Sequence, residues 1–273
     1  MARLEKEGFE VVRLRPGPDG SVTEDAIRRA VNGDTILVSL MLVNNETGAI
    51  QPVAAARRAV KAAGAPALIH CDAVQAFCKV PFTPQKLGVD LLSVSAHKIH
   101  APKGAGALYV AKGTHIVPLA LGGGQEANLR PGTEAVPAIA GFGAAAEAAR
   151  QSFAQNAAHM AALRDRCRAL LAPLPYIAVN SPENGAPHVL NLSVAGVRSE
   201  TMLHFLAARG IYISSGSACS RGARSPVLTA MGLPPERVDS ALRIGFSRYN
   251  TESDVEQLAA AIAEGVRTLV HAY

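Results

Sequence analysis

Blocks of apolar residues alternate with polar segments along the first half of the chain. The β-branched and aliphatic run at 35–43 is typical of a strand covered on both faces, and similar runs at 67–71 and 90–96 predict two further buried strands. Between the first two runs, 52–63 predicts a helix that stops at Gly64. A strand at 104–110 is expected to form a hairpin with the 90–96 strand. This alternation favours a largely parallel sheet layered by helices, the α/β class.

The first 31 residues predict secondary structure less clearly than the segments that follow them. Residues 2–10 predict the end of a helix, 9–14 a short strand, and 16–20 a turn rich in proline and glycine. Thr23 is the predicted N-cap of a helix that runs to about Val31, since acidic residues follow it in the first turn.

The second half predicts a smaller α+β unit. An alanine-rich helix spans 136–171, and a shift in its apolar register near Phe153 predicts a bend. Strands are expected at 188–194, 212–214 and 241–246, with helices at 200–208, 225–231 and from Thr251 onward. Thr251 and Asp254 match a capping box. We expect a large domain over 1–145 and a small domain over 146–273.

Composition narrows the classes of protein. The chain has 273 residues, 49% of them apolar, and no tryptophan. Its apolar runs are too short for a membrane span, and its first residues are charged, unlike a signal peptide. We therefore expect a cytoplasmic protein without membrane binding.

The charge pattern does not indicate nucleic-acid binding. The formal charge of +5 is spread along the chain without a block of Lys or Arg.

The four cysteines form no C-x-x-C pair, so we expect reduced thiols, one of which could be reactive.

Polar residues follow the ends of three predicted strands. Ligands of open α/β sheets bind at the carboxyl edge, so three clusters at this edge indicate a binding site. The clusters comprise Asn44 and Asn45, then Asp72 and Gln75, then Ser95, His97 and Lys98.

Two of these residues suggest a specific chemistry. A lysine that ends a buried strand and is desolvated beside another cation becomes an amine nucleophile; alternatively, Lys98 simply leaves the strand into solvent. Asp72 ends an apolar strand and is costly to bury without a cation, such as a protonated pyridine nitrogen. Its alternative role is a helix N-cap.

Metal and dinucleotide sites are disfavoured. Strand alternation places Cys71 on the opposite face from His70 and Asp72, and no second cluster has ligand spacing, so we expect no metal. The pair Gly104 and Gly106 lacks the third glycine and the acidic partner of a dinucleotide site.

Taken together, the motifs resemble those of the cysteine desulfurase family, in the class V aminotransferase group. The resemblance covers essentially the whole chain in family order and implies the pyridoxal-phosphate fold type I, with an incomplete large domain and a smaller C-terminal α+β domain. It rests on Asn44-Asn-Glu-Thr-Gly48, Asp72-x-x-Gln75, Ser95-x-His-Lys98, Arg130-Pro-Gly-Thr133, Ser214-Ser-Gly-Ser-Ala-Cys219 and Leu242-Arg-Ile-Gly245.

The resemblance implies pyridoxal 5'-phosphate as the cofactor. Lys98 would hold it as a Schiff base and shuttle the substrate α-proton. The remaining cofactor contacts implied by the family are Asp72 to the pyridine nitrogen, Asn45 and Gln75 to the ring hydroxyl, Ser95 and His97 to the phosphate, and Thr133 to the phosphate of the partner subunit in a homodimer.

The resemblance also implies the substrate and the reaction. L-cysteine would be held through its carboxylate by Arg243 beside Asn45, with a surface arginine as the alternative for Arg243. Cys219 would attack the sulfur, giving L-alanine and a persulfide on Cys219. A sulfur-acceptor or iron–sulfur scaffold protein would then collect the sulfur for iron–sulfur cluster assembly or tRNA thiolation. A selenocysteine lyase or another class V enzyme is the alternative activity.

The front of the chain departs from the family pattern. Family members carry an earlier segment with a Gly-Ala-Thr phosphate loop and a histidine that stacks on the cofactor, and 1–44 has no counterpart, since the first histidine is His70. We expect exposed apolar sheet surface as a result. The alternatives are a fragment of a longer product, half of a split enzyme, and a degenerate, non-catalytic remnant. The segment between Cys219 and Pro226 is also short.

Overall fold

The computed structural model describes residues 1–216 and 224–269. Its α-helices are α1 Ala2–Lys6, α2 Glu24–Ala30, α3 Val53–Ala63, α4 Pro84–Leu87, α5 Val136–Gln151, α6 Phe153–Leu171, α7 Ser199–Ala207, α8 Pro226–Ala230, α9 Pro235–Asp239 and α10 Glu252–Thr268. Its strands are β1 Leu37–Met41, β2 Leu68–Asp72, β3 Leu91–Ser95, β4 Gly106–Val110, β5 Ile177–Val179, β6 Val189–Val194 and β7 Ala241–Gly245. Short 3-10 helices cover Ala96–Ile99 and Glu126–Asn128.

The first half forms a four-stranded sheet in the order β1-β2-β3-β4. β1, β2 and β3 are parallel, and β4 returns antiparallel to β3, as the hairpin prediction required. The mainly parallel α/β sheet predicted from the sequence is therefore confirmed.

α3 covers one face of this sheet. Its apolar stripe contains small residues such as Ala56, which is fully buried, and packs in the same core as Ile69 and Cys71 of β2. The helix ends at Gly64, whose φ of 61° lies in the left-handed region that glycine adopts without steric cost.

The outer face of the sheet is open. Val38 and Leu40 of β1 face the core, but Leu37 and Met41 on the same strand are 38% and 37% exposed. Leu108 of β4 is 48% exposed. The prediction that the 35–43 strand is covered on both faces is wrong, because an aliphatic run also fits a strand with one buried face. The expected exposure of apolar sheet surface is confirmed.

The second half forms a three-stranded antiparallel sheet in the order β5-β6-β7. β6 is buried along its whole length in a core shared with α6, α7 and α10. The predicted break near Phe153 is confirmed, since α5 and α6 are separated at Ser152. The capping box of α10 also forms, with Thr251 and Asp254 in the predicted roles.

Some short elements differ from the predictions. No strand is described over 9–14, and the expected strand at 212–214 is reduced to a single bridge between Ser214 and Arg243. The elements α4, β5 and α9 were not predicted. The boundary at 145/146 lies inside α5, and the division into two domains stays a prediction. Across the described residues, no helix is both long and apolar enough to cross a membrane.

A tight turn at 44–48, named here the 44–48 turn, joins the two sheets. Inside it, the Oδ1 atom of Asn44 accepts hydrogen bonds from the backbone N–H groups of Glu46 and Thr47. From the second half, Ser181 Oγ donates to Thr47 O at 2.6 Å, and Asn191 Nδ2 donates to Glu46 O at 3.2 Å. The turn is therefore a buried contact between segments far apart in sequence.

Candidate active site

The three predicted polar clusters lie at one edge of the four-stranded sheet. β1, β2 and β3 are parallel neighbours, so the residues that follow their carboxyl ends come together. Asn45 follows β1, Asp72 ends β2, and Lys98 follows β3. The structure thus brings together three clusters that the sequence separates.

The chain changes from a strand to a 3-10 helix directly after Ser95. Ala96 is fully buried and fixes this change of direction, while Ser95 Oγ and His97 Nδ1 lie 2.8 Å apart. Because these two groups share one hydrogen bond, either the Nε2–H of the exposed His97 imidazole or the hydroxyl of Ser95 is left to donate to an anion, depending on the tautomer of His97. Lys98 is half-buried, so it does not leave the strand into open solvent.

Asp72 supports the turn that follows β2, and its pairing with a cation stays a prediction. Its Oδ1 accepts a hydrogen bond from the backbone N–H of Val74 at 2.9 Å and so supports the turn that carries Gln75. Its Oδ2 has no hydrogen bond within the described parts of the chain, and the side chain is exposed at the sheet edge. One carboxylate oxygen is therefore free to pair with a cationic ligand.

Behind Asp72, His70 bridges two neighbouring strands. Its Nδ1 lies 2.9 Å from Ser39 Oγ, and its Nε2 lies 2.9 Å from Ser93 Oγ. Burial lowers the pKa of His70, and the charge of Asp72 opposes this effect. Cys71 points to the opposite face and is fully buried, which raises its pKa to about 12. Both nitrogens of His70 are thus engaged within the sheet.

A cavity of about 270 Å³ lies between the sheet edge and the second half of the chain. Four predicted site residues line it, namely Asn45, Gln75, Lys98 and Arg243. Four more basic side chains that the sequence analysis did not single out also line it, namely Lys79, His100, His188 and Arg248. Among its described lining residues no carboxylate occurs, so the cavity favours anionic ligands.

Arg243 projects from β7 into this cavity and is half-buried, which excludes the alternative of a free surface arginine. Its Nη1 donates to Asn45 O at 3.1 Å. Burial lowers its pKa, and the negative charge of Glu46 opposes this effect. Glu46 is itself 2% exposed and accepts a 2.5 Å hydrogen bond from Ser225 Oγ. The guanidinium is thus held at the cavity wall.

Lys79 and His188 lie deep in the site. Burial, followed by the charge of Lys98, lowers the pKa of Lys79 to about 8. His188 is 5% exposed and immediately precedes β6. A lysine directly after the apolar turn 76–78 was the available sequence signal for Lys79. No sequence signal was available for His188, because it reaches the site only through the packing of the second sheet against the first.

Four predicted site residues within the described parts of the chain are not among those that line this cavity, namely Asp72, Ser95, His97 and Thr133. Thr133 is exposed in the segment before α5 and is not among the residues that line the cavity. Cys219 lies outside the described residues, between Gly216 and Arg224. Their roles stay predictions.

Comparison with known proteins identifies the class. The family model described as aminotransferase class-V matches residues 1–258, and the chain belongs to this family. Curated relatives that match it include cysteine desulfurases. The chain is 43% identical over 275 residues to cysteine desulfurase IscS of Anaeromyxobacter sp. (strain Fw109-5), and 41% identical over 271 residues to that of Methanosarcina thermophila. Each alignment covers 98% of this chain and 67% of the relative.

Comparison with solved structures also finds NifS-like proteins. A NifS-like protein superposes with a TM-score of 0.91 at 39% identity, covering 98% of this chain and 71% of that one. A NifS-like protein from Rickettsia africae ESF-5 gives a TM-score of 0.85 at 30% identity, covering 93% of this chain and 69% of that one. The predictions of fold type I and of membership in the pyridoxal-phosphate-dependent cysteine desulfurase family are confirmed.

Proposed function

We propose that this chain converts L-cysteine to L-alanine with pyridoxal 5'-phosphate held at Lys98, and that Cys219 takes the sulfur as a persulfide. One observation carries the proposal. In a chain of the cysteine desulfurase family, Asn45, Gln75, Lys98 and Arg243 line a single cavity free of described carboxylates.

The residues at the sheet edge fit the cofactor. The free Oδ2 of Asp72 suits a protonated pyridine nitrogen, and the half-buried amides of Asn45 and Gln75 suit the ring oxygen. Ser95 or His97 can donate to the phosphate. When bound, pyridoxal phosphate supplies an electron sink for the negative charge that develops on the substrate α-carbon.

Lys98 holds the cofactor through its Nζ and exchanges a proton with the substrate α-carbon. Its half-buried position limits hydration of the amine, and Lys79 adds a second positive charge in the same cavity. Lys98 therefore lines the cavity at the position that these roles require.

Arg243 binds the substrate carboxylate. A guanidinium forms two parallel hydrogen bonds with a carboxylate, and its interaction with Asn45 O restricts its rotation before the substrate arrives. This contact orients the α-carbon relative to Lys98.

Cys219 acts as the nucleophile towards the substrate sulfur. Its thiolate forms a sulfur–sulfur bond while the carbon–sulfur bond of the substrate breaks, and the electron pair of that bond stays with the carbon that becomes the alanine methyl group after protonation. We infer that an acceptor protein then takes the terminal sulfur, for iron–sulfur cluster assembly or tRNA thiolation.

We place the enzyme in the cytoplasm as a homodimer, with Thr133 contacting the cofactor phosphate of the partner subunit.

Titration of the purified chain with pyridoxal phosphate tests this proposal. We expect an absorbance band in the near-ultraviolet to blue, and peptide mapping after borohydride reduction should find the cofactor mass on Lys98. Lys98→Ala should abolish the band, whereas Lys61→Ala, an exposed lysine on α3, should preserve it. The loaded chain should release sulfide from cysteine with a thiol reductant, and Cys219→Ala should not. Equal labelling in Lys98→Ala, or sulfide release by Cys219→Ala, would contradict the assignment.

A further inference from the structure

His188 reaches from the second sheet to a residue of the first sheet edge. Its Nε2 lies 3.3 Å from Oε1 of Gln75, a contact that joins residues 113 positions apart. His188 is 5% exposed, and its carbonyl accepts a hydrogen bond from Phe246 N at 3.0 Å, which fixes its backbone. The imidazole is therefore held against the Gln75 amide.

The protonation of this imidazole follows from its surroundings. Burial, followed by the charge of Lys79, lowers the pKa of His188 well below its ordinary value, so the ring is neutral at pH 7. A neutral imidazole has one N–H, and an amide oxygen can only accept. The proton therefore lies on Nε2. Nδ1 is left as a buried acceptor with no hydrogen-bond partner among the described residues, in a cavity that the ammonium of Lys79 also lines.

We infer that His188 is a positioning residue that fixes the orientation of the Gln75 amide. With the amide oxygen engaged by His188, the amide NH2 group of Gln75 is the part left to face the cavity. An NH2 donor at that position stabilises the anionic form of the cofactor ring oxygen. This inference rests on the proposed function, because it concerns the residue that would contact that oxygen.

Through this contact, a residue from the second half of the chain orients a side chain at the edge of the first sheet. His188 contributes no atom to the cofactor contacts predicted from the sequence, yet it sets the hydrogen-bonding direction of one of them. Without His188, the Gln75 amide can turn over and present its oxygen to the ring oxygen, an acceptor facing an acceptor.

The first experiment needs no cofactor. Nitrogen-15 NMR of the histidine rings at pH 7.5 should show His188, assigned by its loss in His188→Gln, as a neutral ring with the proton on Nε2. In Gln75→Leu, which removes the acceptor, this tautomer preference should be lost. A protonated ring, or a proton on Nδ1 in the wild-type chain, would overturn the inference.

The second experiment measures the affinity for pyridoxal phosphate. His188→Phe, which fills the site without a donor, should weaken binding about fivefold, the scale of one neutral hydrogen bond. His188→Gln, whose amide can donate in the same direction, should restore binding to within about twofold. Thermal unfolding midpoints of the variants identify any that fail to fold, and His188→Ala then replaces His188→Phe.

A double variant separates positioning from general damage. In a Gln75→Leu background, His188→Phe should cause no further loss of affinity, since there is no amide left to orient. Additive losses, or unchanged affinity in His188→Phe alone, would refute the inference. If the wild-type chain binds no pyridoxal phosphate, the proposed function fails, and the NMR comparison still decides whether His188 orients Gln75.

Discussion

Glu46 shows how a single buried charge can support a site without facing the cavity. Its carboxylate is 2% exposed, accepts a hydrogen bond from Ser225, and acts electrostatically on Arg243. Ser225 is also the N-cap of α8, where its hydroxyl accepts from Leu228 N at 3.1 Å. Glu46 thus links the 44–48 turn to a helix start and to the proposed carboxylate-binding arginine.

Replacing Glu46 by alanine should therefore destabilise the protein by about 2 kcal/mol, because the buried Ser225 hydroxyl loses its acceptor and Arg243 loses a nearby negative charge. Urea unfolding monitored by circular dichroism measures this. Glu183→Ala, in which the lost side chain is 82% exposed, is the matched control and should change stability by less than about 0.5 kcal/mol. Equal midpoints for Glu46→Ala and the wild type would show that the buried carboxylate is not required.

Among individual site residues, those that directly follow strands were predicted from the sequence. Those that reach the cavity only through tertiary packing were missed. Asp72, Ser95 and Lys98 were predictable because the carboxyl ends of parallel strands share an edge. His188 and Arg248 were not, since each lies in the second half and reaches the cavity only when the two sheets pack together. No local pattern encodes that contact.

At the scale of secondary-structure elements, the ends of helices were the features predicted best from the sequence. Thr23 accepts from Ala26 N, Gly64 closes α3, and Thr251 caps α10, all as expected from side-chain chemistry. Such signals are local, so they depend less on tertiary contacts than the packing of strands does. The short elements β5 and α9 were missed because their few residues carry no period.

Thr251→Ala tests the capping box. The Thr251 hydroxyl accepts from Asp254 N at 3.3 Å, and Asp254 Oδ2 accepts from Thr251 N at 2.9 Å. Removal of the hydroxyl should cost about 1 kcal/mol in the free energy of unfolding. Ser253→Ala, in the same turn, should cost clearly less, because the one described hydrogen-bond partner of its hydroxyl is the Gln257 side chain. Equal losses in urea unfolding would contradict a specific capping role.

At the scale of the whole molecule, three histidines respond to acid in the same direction. Burial lowers the pKa values of His70, His100 and His188, so in each case the unfolded chain binds a proton more readily than the folded chain. Each contribution to stability is therefore present above the unfolded pKa of about 6.5 and is lost as the pH falls below it.

Stability should accordingly decrease between pH 7.5 and pH 5.5, with a slope of up to about 1.4 kcal/mol per pH unit from the buried His188 and smaller contributions from the half-buried His70 and the exposed His100, where water screens the charge. In His188→Phe the difference in unfolding free energy between the two pH values should be smaller. His204→Phe, an exposed histidine on α7, should leave that difference unchanged. A pH slope identical in His188→Phe and wild type would contradict this assignment.

The 44–48 turn also has a consequence for biosynthesis. The side chains that hold it from outside include those of Ser181, Asn191, Ser225 and Arg243, all made long after the turn itself leaves the ribosome. A nascent chain that ends before β7 can already form the four-stranded sheet, since the contacts of that sheet are local to 37–110. It cannot complete the cavity wall. The contact of Arg243 with the 44–48 turn can therefore form only after the last strand has been made.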